Sequence, residues 1–284
     1  MRLQRIAGGV IVLTALAGVL AACGDDSDEP VALTVKASSS GDTYAFDIPD
    51  EIDGGVVALT LDNVDSEPHE IALVHVEDGT TPDEVVSELL ATEGAPIPDF
   101  VLGAGGVGFA APDQKVKATQ DLEPGSYVYF CTFGEDDAIH YDNGMLGAVE
   151  VKGDKGKGDL PESTESITAS EYTFEAEGLT AGTHQLLFKN DGPDQLHHAQ
   201  LFPMTEGSTI DDVKAFLATE GEPTGPPPLD FEGGVGTIVL APGQEQVVDV
   251  TLQKGSYAAV CFITDREGGP PHFVKGMVSE LTVE

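Results

Sequence analysis

Short runs of apolar residues interleaved with polar ones dominate this chain. Residues 31–38, 43–48 and 56–64 are rich in Val, Thr, Leu and Tyr with partial alternation, the pattern of a half-buried pleated surface. Residues 67–77, 115–122, 125–133 and 145–151 read as further strands. One segment changes period. Thr81-Pro82-Asp83-Glu84 has the form of a capping box, with Thr as N-cap, Pro at the first helical position and Glu at the third. Val85, Val86, Leu89 and Leu90 then supply a helical apolar face, so a helix is predicted over 82–92, stopped by Gly94. A Pro/Gly-rich loop is expected from there to Gly108.

The same order of elements then returns. TFEAEG, THQLLFKND and HHAQLFPM read as strands, and Thr209-Ile210-Asp211-Asp212 opens a second helix with Val213, Phe216 and Leu217 inward. LATEG occurs at 90–94 and 217–221, GGVG at 105–108 and 233–236, and GSY stands before both Cys131 and Cys261. Two copies in one order indicate a tandem duplication. The divisions are a signal segment over 1–22, a tether over 23–30, a first domain over 31–152, a polar Gly-rich linker over 153–164 and a second domain over 165–284. The G-x-G-x-x-G match at 103–108 follows a helix instead of preceding one, and Phe231 replaces its first Gly in the second copy, which argues against a dinucleotide site. A tight turn near the functional site is the expected role of these glycines.

Composition narrows the class. With 34 Gly, 18 Pro and no Trp, the chain suits a loop-rich all-β fold. Its formal charge is -37, from 50 acidic residues against 13 Lys and Arg, so nucleic acid is discounted as a partner; a solubilising acidic shell is expected, and the surface also suits cationic partners, metal cations or a salty medium. At the N-terminus, Arg2 and Arg5 precede an apolar stretch ending in Leu20-Ala21-Ala22-Cys23, too short for a spanning helix. It resembles a bacterial lipoprotein signal. That resemblance implies cleavage before Cys23, lipidation of its thiol, and a body exported and anchored on the outer face of the cell membrane, or on the periplasmic or outer-membrane side. Cys131 and Cys261 occupy equivalent places in the two repeats, so a disulfide between them is not expected.

The candidate chemistry is carried twice. His69 opens a strand behind Pro68, and Cys131, His140 and Met145 follow. His197, Cys261, His272 and Met277 repeat that order. Two imidazoles and a thiolate with a weak thioether form a mononuclear copper set of the blue type. His198 falls where the first copy has Glu70. Neighbouring strand residues face opposite sides, so only one of His197 and His198 can serve. His75, His184 and His198 are expected to be structural or exposed.

On these residues the chain resembles the cupredoxins, the plastocyanin and azurin family. The Asn63 to His69 segment with Pro68, Tyr127-x-x-x-Cys131, Tyr257-x-x-x-Cys261 and the H-x4-M spacing carry the likeness. It implies two tandem Greek-key β-sandwiches, one copper per domain, and electron transfer with a redox partner protein; the short helix read in each repeat is inserted between strands and departs from the small cupredoxins. Copper storage or delivery, with a copper donor or acceptor as partner, and a metal-free binding or structural module are the alternatives. The Cys-to-His interval spans eight residues in the first copy and ten in the second, which predicts histidines on long, loosely held loops. Phe130 and Thr132 flank Cys131, Val260 and Phe262 flank Cys261, and no H-x-H occurs. Multicopper catalysis needs such histidines, so an enzyme is not expected.

Overall fold

The computed structural model describes residues 29–90, 92, 94–134, 138–219 and 225–284. The signal segment and Cys23 lie outside the described residues, as do parts of both LATEG segments. No described helix is long and apolar enough to cross a membrane.

The first half contains β1 (Val31–Ser40), β2 (Thr43–Asp47), β3 (Glu51–Asn63), β4 (His69–Val76), α1 (Pro82–Val85), β5 (Val101–Ala110), β6 (Lys115–Leu122), β7 (Gly125–Phe130) and β8 (Leu146–Gly156). Hydrogen bonding orders them as β2-β1-β3-β6 on one side and β5-β4-β7-β8 on the other, with β8 also running parallel to the start of β3. The chain passes between the sheets at β3–β4, β5–β6 and β6–β7, the crossings of a Greek-key sandwich. In β3 the alternation is plain: Val57, Leu59 and Leu61 are fully buried between the sheets, and their neighbours are not.

The second half repeats this with β9 (Glu165–Ser170), β10 (Thr173–Glu177), β11 (Gly182–Asn190), β12 (Gln200–Pro203), α2 (Ile210–Leu217), β13 (Val235–Gly236), β14 (Glu245–Leu252), β15 (Gly255–Val260) and β16 (Val278–Val283). Its sheets are β10-β9-β11-β14 and β13-β12-β15-β16. The fold is all-β, two sandwiches in tandem.

The two halves share a sheet. Strands β6 and β14, which stand at the same sequence distance before Cys131 and Cys261, pair antiparallel. Ala118 pairs with Val248, its own repeat equivalent, and Thr119 and Gln120 pair with Val247 and Gln246. The joint therefore lies on a local two-fold relation between the copies.

Two expectations change. Residues 103–108 are part of β5, not a loop or a tight turn. Their glycines allow close approach: a Cβ on Gly106 would lie 2.0 Å from the Ile71 carbonyl oxygen, and one on Gly108 would lie 2.6 Å from the Gly236 carbonyl oxygen in the other half. At Gly108 the two copies meet backbone to backbone. The first helix is also shorter than predicted. Its capping box forms, with Thr81 N–H donating to Glu84 at 2.8 Å, but after Val85 it widens into a π-helical turn, Val86–Leu90. Leu89 and Leu90 then pack on a cluster drawn from both halves, including Val74, Ile97, Phe130, Leu196 and Ile238.

Candidate metal centres

Each first histidine is set by a latch at the end of a core strand. Asn63 ends β3, is 1% exposed, and donates through Nδ2 to the carbonyls of Glu67 (2.7 Å) and Ala110 (2.9 Å). Its Oδ1 accepts from Asp65 N–H at 2.9 Å. Asn190 does the same at the end of β11, donating to Gln195 and Leu240 carbonyls and accepting from Gly192 N–H. A buried, saturated amide fixes the turn, and the turn delivers His69 or His197 to the end of the sandwich.

The other residues come from one backbone knot. Cys131 N–H donates to the Met145 carbonyl (3.2 Å), Tyr141 N–H to the Cys131 carbonyl (3.1 Å), His140 N–H to the Phe133 carbonyl (2.8 Å) and Met145 N–H to the His140 carbonyl (2.9 Å). Cys261, Phe273, His272 and Met277 make the corresponding four bonds. The histidines are thus held firmly despite the long intervals: His140 is 1% and His272 0% exposed. The longer second loop is also clamped from the first half, where Ile97 N–H donates to the Arg266 carbonyl and Gly94 accepts from Gly269 N–H, both at 2.9 Å. The expectation of loose loops is corrected by these bonds.

The donors converge. Cys131 Sγ lies 3.9 Å from His69 Nδ1 and 3.5 Å from His140 Nδ1. Cys261 Sγ lies 3.9 Å from His197 Nδ1 and 3.5 Å from His272 Nδ1. Within each triad, all three donor atoms fall within 4.8 Å of one another and all three residues are buried. Met145 and Met277 are fully buried beside them, each bonded through its backbone to the cysteine and histidine of its own site. His198 is turned away from the second triad.

Burial governs the electrostatics. It pushes both thiols up to about 12, opposed by backbone N–H groups aimed at sulfur from Glu70 and Phe133 in one site and from His198 and Ile263 in the other. It pushes His197 down to about 4, helped by His272, and lowers His69 and His272 as well. Neutral imidazoles with inward Nδ1 atoms and soft sulfur in a dry pocket fit one copper ion per domain better than a hard cation.

Sequence reasoning missed the groups around the triads. His140 Nε2 faces Glu67 at 3.3 Å, and Tyr44 stacks on the ring at 4.0 Å while donating to Glu67. His272 Nε2 faces Asp265 at 3.1 Å, and Tyr172 sits edge-on at 5.2 Å while donating to Asp265. The two carboxylates come from different loops, so no repeat alignment would reveal the match. His69 Nε2 has Asp65 at 3.3 Å. The equivalent of Asp65 is Gly192, and His197 Nε2 is accordingly buried with no partner among the described residues. Of the remaining histidines, His75 stacks on Tyr127 and His184 lies near Glu165 at the surface. His198 accepts from Phe262 N–H, a structural contact, and also lines a cavity between the halves.

No family model matches the chain, and no curated protein matches it. Among solved structures, reduced auracyanin from Roseiflexus castenholzii is 24% identical over 42% of this chain and 97% of its own, with a TM-score of 0.29. Auracyanin A, described as a "blue" copper protein from Chloroflexus aurantiacus, is 22% identical over 43% and 99%, with a TM-score of 0.27. A copper nitrite reductase from Nitrosomonas europaea is 15% identical over 90% and 94%, with a TM-score of 0.27. At scores this low the likenesses carry no weight for this chain's chemistry. The strand pairings and donor positions do. Each half is a cupredoxin-like sandwich.

Proposed function

We propose that this protein is a lipid-anchored electron carrier holding one copper ion in each half. The observation that carries the reading is the duplicated, buried triad of His Nδ1, Cys Sγ and His Nδ1. His69, Cys131 and His140 would hold one ion, with Met145 supplying a weak thioether donor; His197, Cys261, His272 and Met277 would hold the other. Copper would supply a one-electron couple. The chain's own residues do the rest. The asparagine latches and backbone knots fix donor positions in advance, which keeps structural change on electron transfer small. Sandwich walls exclude water. Glu67 and Asp265 hold the outer N–H of His140 and His272, and Tyr44 and Tyr172 cover those rings.

Two features favour a carrier over a catalyst or a store. The residues flanking each cysteine are Phe130, Thr132, Val260 and Phe262, so no imidazole leads from the thiolate to a second ion. Each site offers one buried thiol, where a store would gain from several. The charge of -37 favours a basic redox partner. Cys23, after a lipobox-like Leu20-Ala21-Ala22, would anchor the chain at the outer membrane face.

The test is a visible spectrum of the Cu(II)-loaded protein with metal analysis. Two copper ions per chain and an intense thiolate band, halved in Cys131→Ser or Cys261→Ser and lost in the double variant, support the proposal. Stoichiometric Cu(I) uptake without such a band would point to storage or delivery, and absence of stoichiometric copper would overturn both readings.

A further inference from the structure

Between the two sandwiches lies a cavity of about 630 Å³. Its walls are apolar and aromatic, with Phe130, Phe133, Phe202 and Phe262 among them, together with Val74 and Ile238. Phe231 also lines it and is 44% exposed, so the cavity reaches solvent on that side. The volume falls in the range of small-molecule sites.

Six polar residues interrupt this lining, Glu70, Thr92, Thr132, His198, Gln200 and Thr264, and two of them, Glu70 and His198, occupy equivalent positions in the two repeats. Glu70 follows His69, and His198 follows His197. Each is tied to the residue after its domain's cysteine: Glu70 accepts from the Thr132 hydroxyl through Oε1, and His198 Nε2 accepts from Phe262 N–H at 2.9 Å. An acceptor role at Nε2 places the imidazole proton on Nδ1. Neither His198 Nδ1 nor Glu70 Oε2 has a hydrogen-bond partner among the described residues. An unpaired donor and an unpaired acceptor, at equivalent repeat positions, thus border an aromatic cavity. A polar group left unpaired in such surroundings is costly unless a ligand or water meets it.

We infer that this cavity is a binding site for an aromatic alcohol of the phenol or hydroquinone class. The ring lies among the phenylalanines, the hydroxyl donates to Glu70, and a ligand oxygen accepts from His198 Nδ1–H. A saturated lipid tail would leave both polar groups unmet, and a highly polar metabolite would strand its own groups against the phenylalanines. The inference does not depend on metal at the triads, because none of the contacts involves a triad side chain.

The experiment is equilibrium dialysis of the full-length protein, metal-free and copper-loaded, against 2-naphthol and against 2-methoxynaphthalene, which lacks the hydroxyl proton. Saturable binding of one 2-naphthol per chain is expected, with a Kd of roughly ten to a hundred micromolar for so small a ligand. The methoxy compound should bind about tenfold more weakly, the value of one lost hydrogen bond to a buried carboxyl oxygen. Ala104→Phe, which fills the cavity from β5, should abolish binding, and its thermal transition shows whether the variant is folded. His198→Leu should weaken the binding of both compounds, because either oxygen can accept from His198 Nδ1–H, whereas Glu70→Leu should weaken 2-naphthol and leave the methoxy compound less affected. Absence of saturable binding, equal affinity for the two compounds, or undiminished binding to folded Ala104→Phe would overturn the inference. Failure to take up copper would leave these outcomes readable in the metal-free protein.

Discussion

The two proposed copper sites differ in charge, and the difference predicts the direction of electron flow. In the first half, Asp65 and Glu67 face the outer nitrogens of His69 and His140. In the second half His197 has no such partner, and Asp265 beside His272 is also paired with Lys275. Extra negative charge stabilises Cu(II) over Cu(I), so the first site should have the lower potential and pass electrons to the second. Asp65 is the decisive group, since its side chain is 3% exposed whereas Glu67 is 50% exposed and screened. Its carboxyl is held below the usual range against the cost of burial, by hydrogen bonds from Ser39, Ser66 and His69, so it is ionised at neutral pH. A unit charge on the far side of the His69 imidazole is worth about 2 kcal/mol at an effective dielectric of ~20. For one electron that is about 100 mV. Asp65→Asn keeps the shape and removes the charge. In the Cys261→Ser background, which isolates the first site, spectroelectrochemical titration should show the potential rising by about that amount. A fall, or a change under about 20 mV, would refute the electrostatic reasoning. So would a first site whose potential already exceeds that of the second.

Other consequences follow from the same geometry. In the Cys131→Ser variant, Cu(I) affinity should rise about tenfold per pH unit between roughly pH 7 and 9, because the Cys261 thiol, pushed up to about 12, must lose one proton on binding; anaerobic competition with bicinchoninate checks the slope, and a flat profile would contradict it. Asp265→Asn should weaken metal binding at the second site by about 10- to 100-fold, the usual cost of losing such a support, with Glu67→Gln costing the first site less because Glu67 is half exposed. Asn190→Ala should cost about 2–4 kcal/mol in urea unfolding, since it strands the buried carbonyls of Gln195 and Leu240. The metal-free protein should lose stability as pH falls below about 6.5, because the unfolded His197 takes up a proton that the folded residue, pushed down to about 4, refuses; the loss from this group reaches on the order of 3 kcal/mol by pH 4 and is read from melting temperature against pH.

The sequence alone determined the β character, the duplication and the ligand order. These depend on local pattern: alternation in residues such as Val57, Leu59 and Leu61, repeats such as GSY before each cysteine, and donor types whose chemistry is fixed by the element they carry. Only the tertiary structure decided what surrounds the donors. Asp265 and Glu67 perform one task from unrelated loops, and Gly192 removes from the second site the support that Asp65 gives the first. The glycines of 103–108 looked like a turn because close backbone contact between distant segments leaves no local signature. Likewise, Glu70 and His198 are ordinary neighbours of ligands until the pairing of β6 with β14 turns the two copies to face each other. Local propensity reads contacts a few residues apart. The second-site loop is held from the first half by Gly94 and Ile97, and such contacts exist only once both sandwiches have folded and docked.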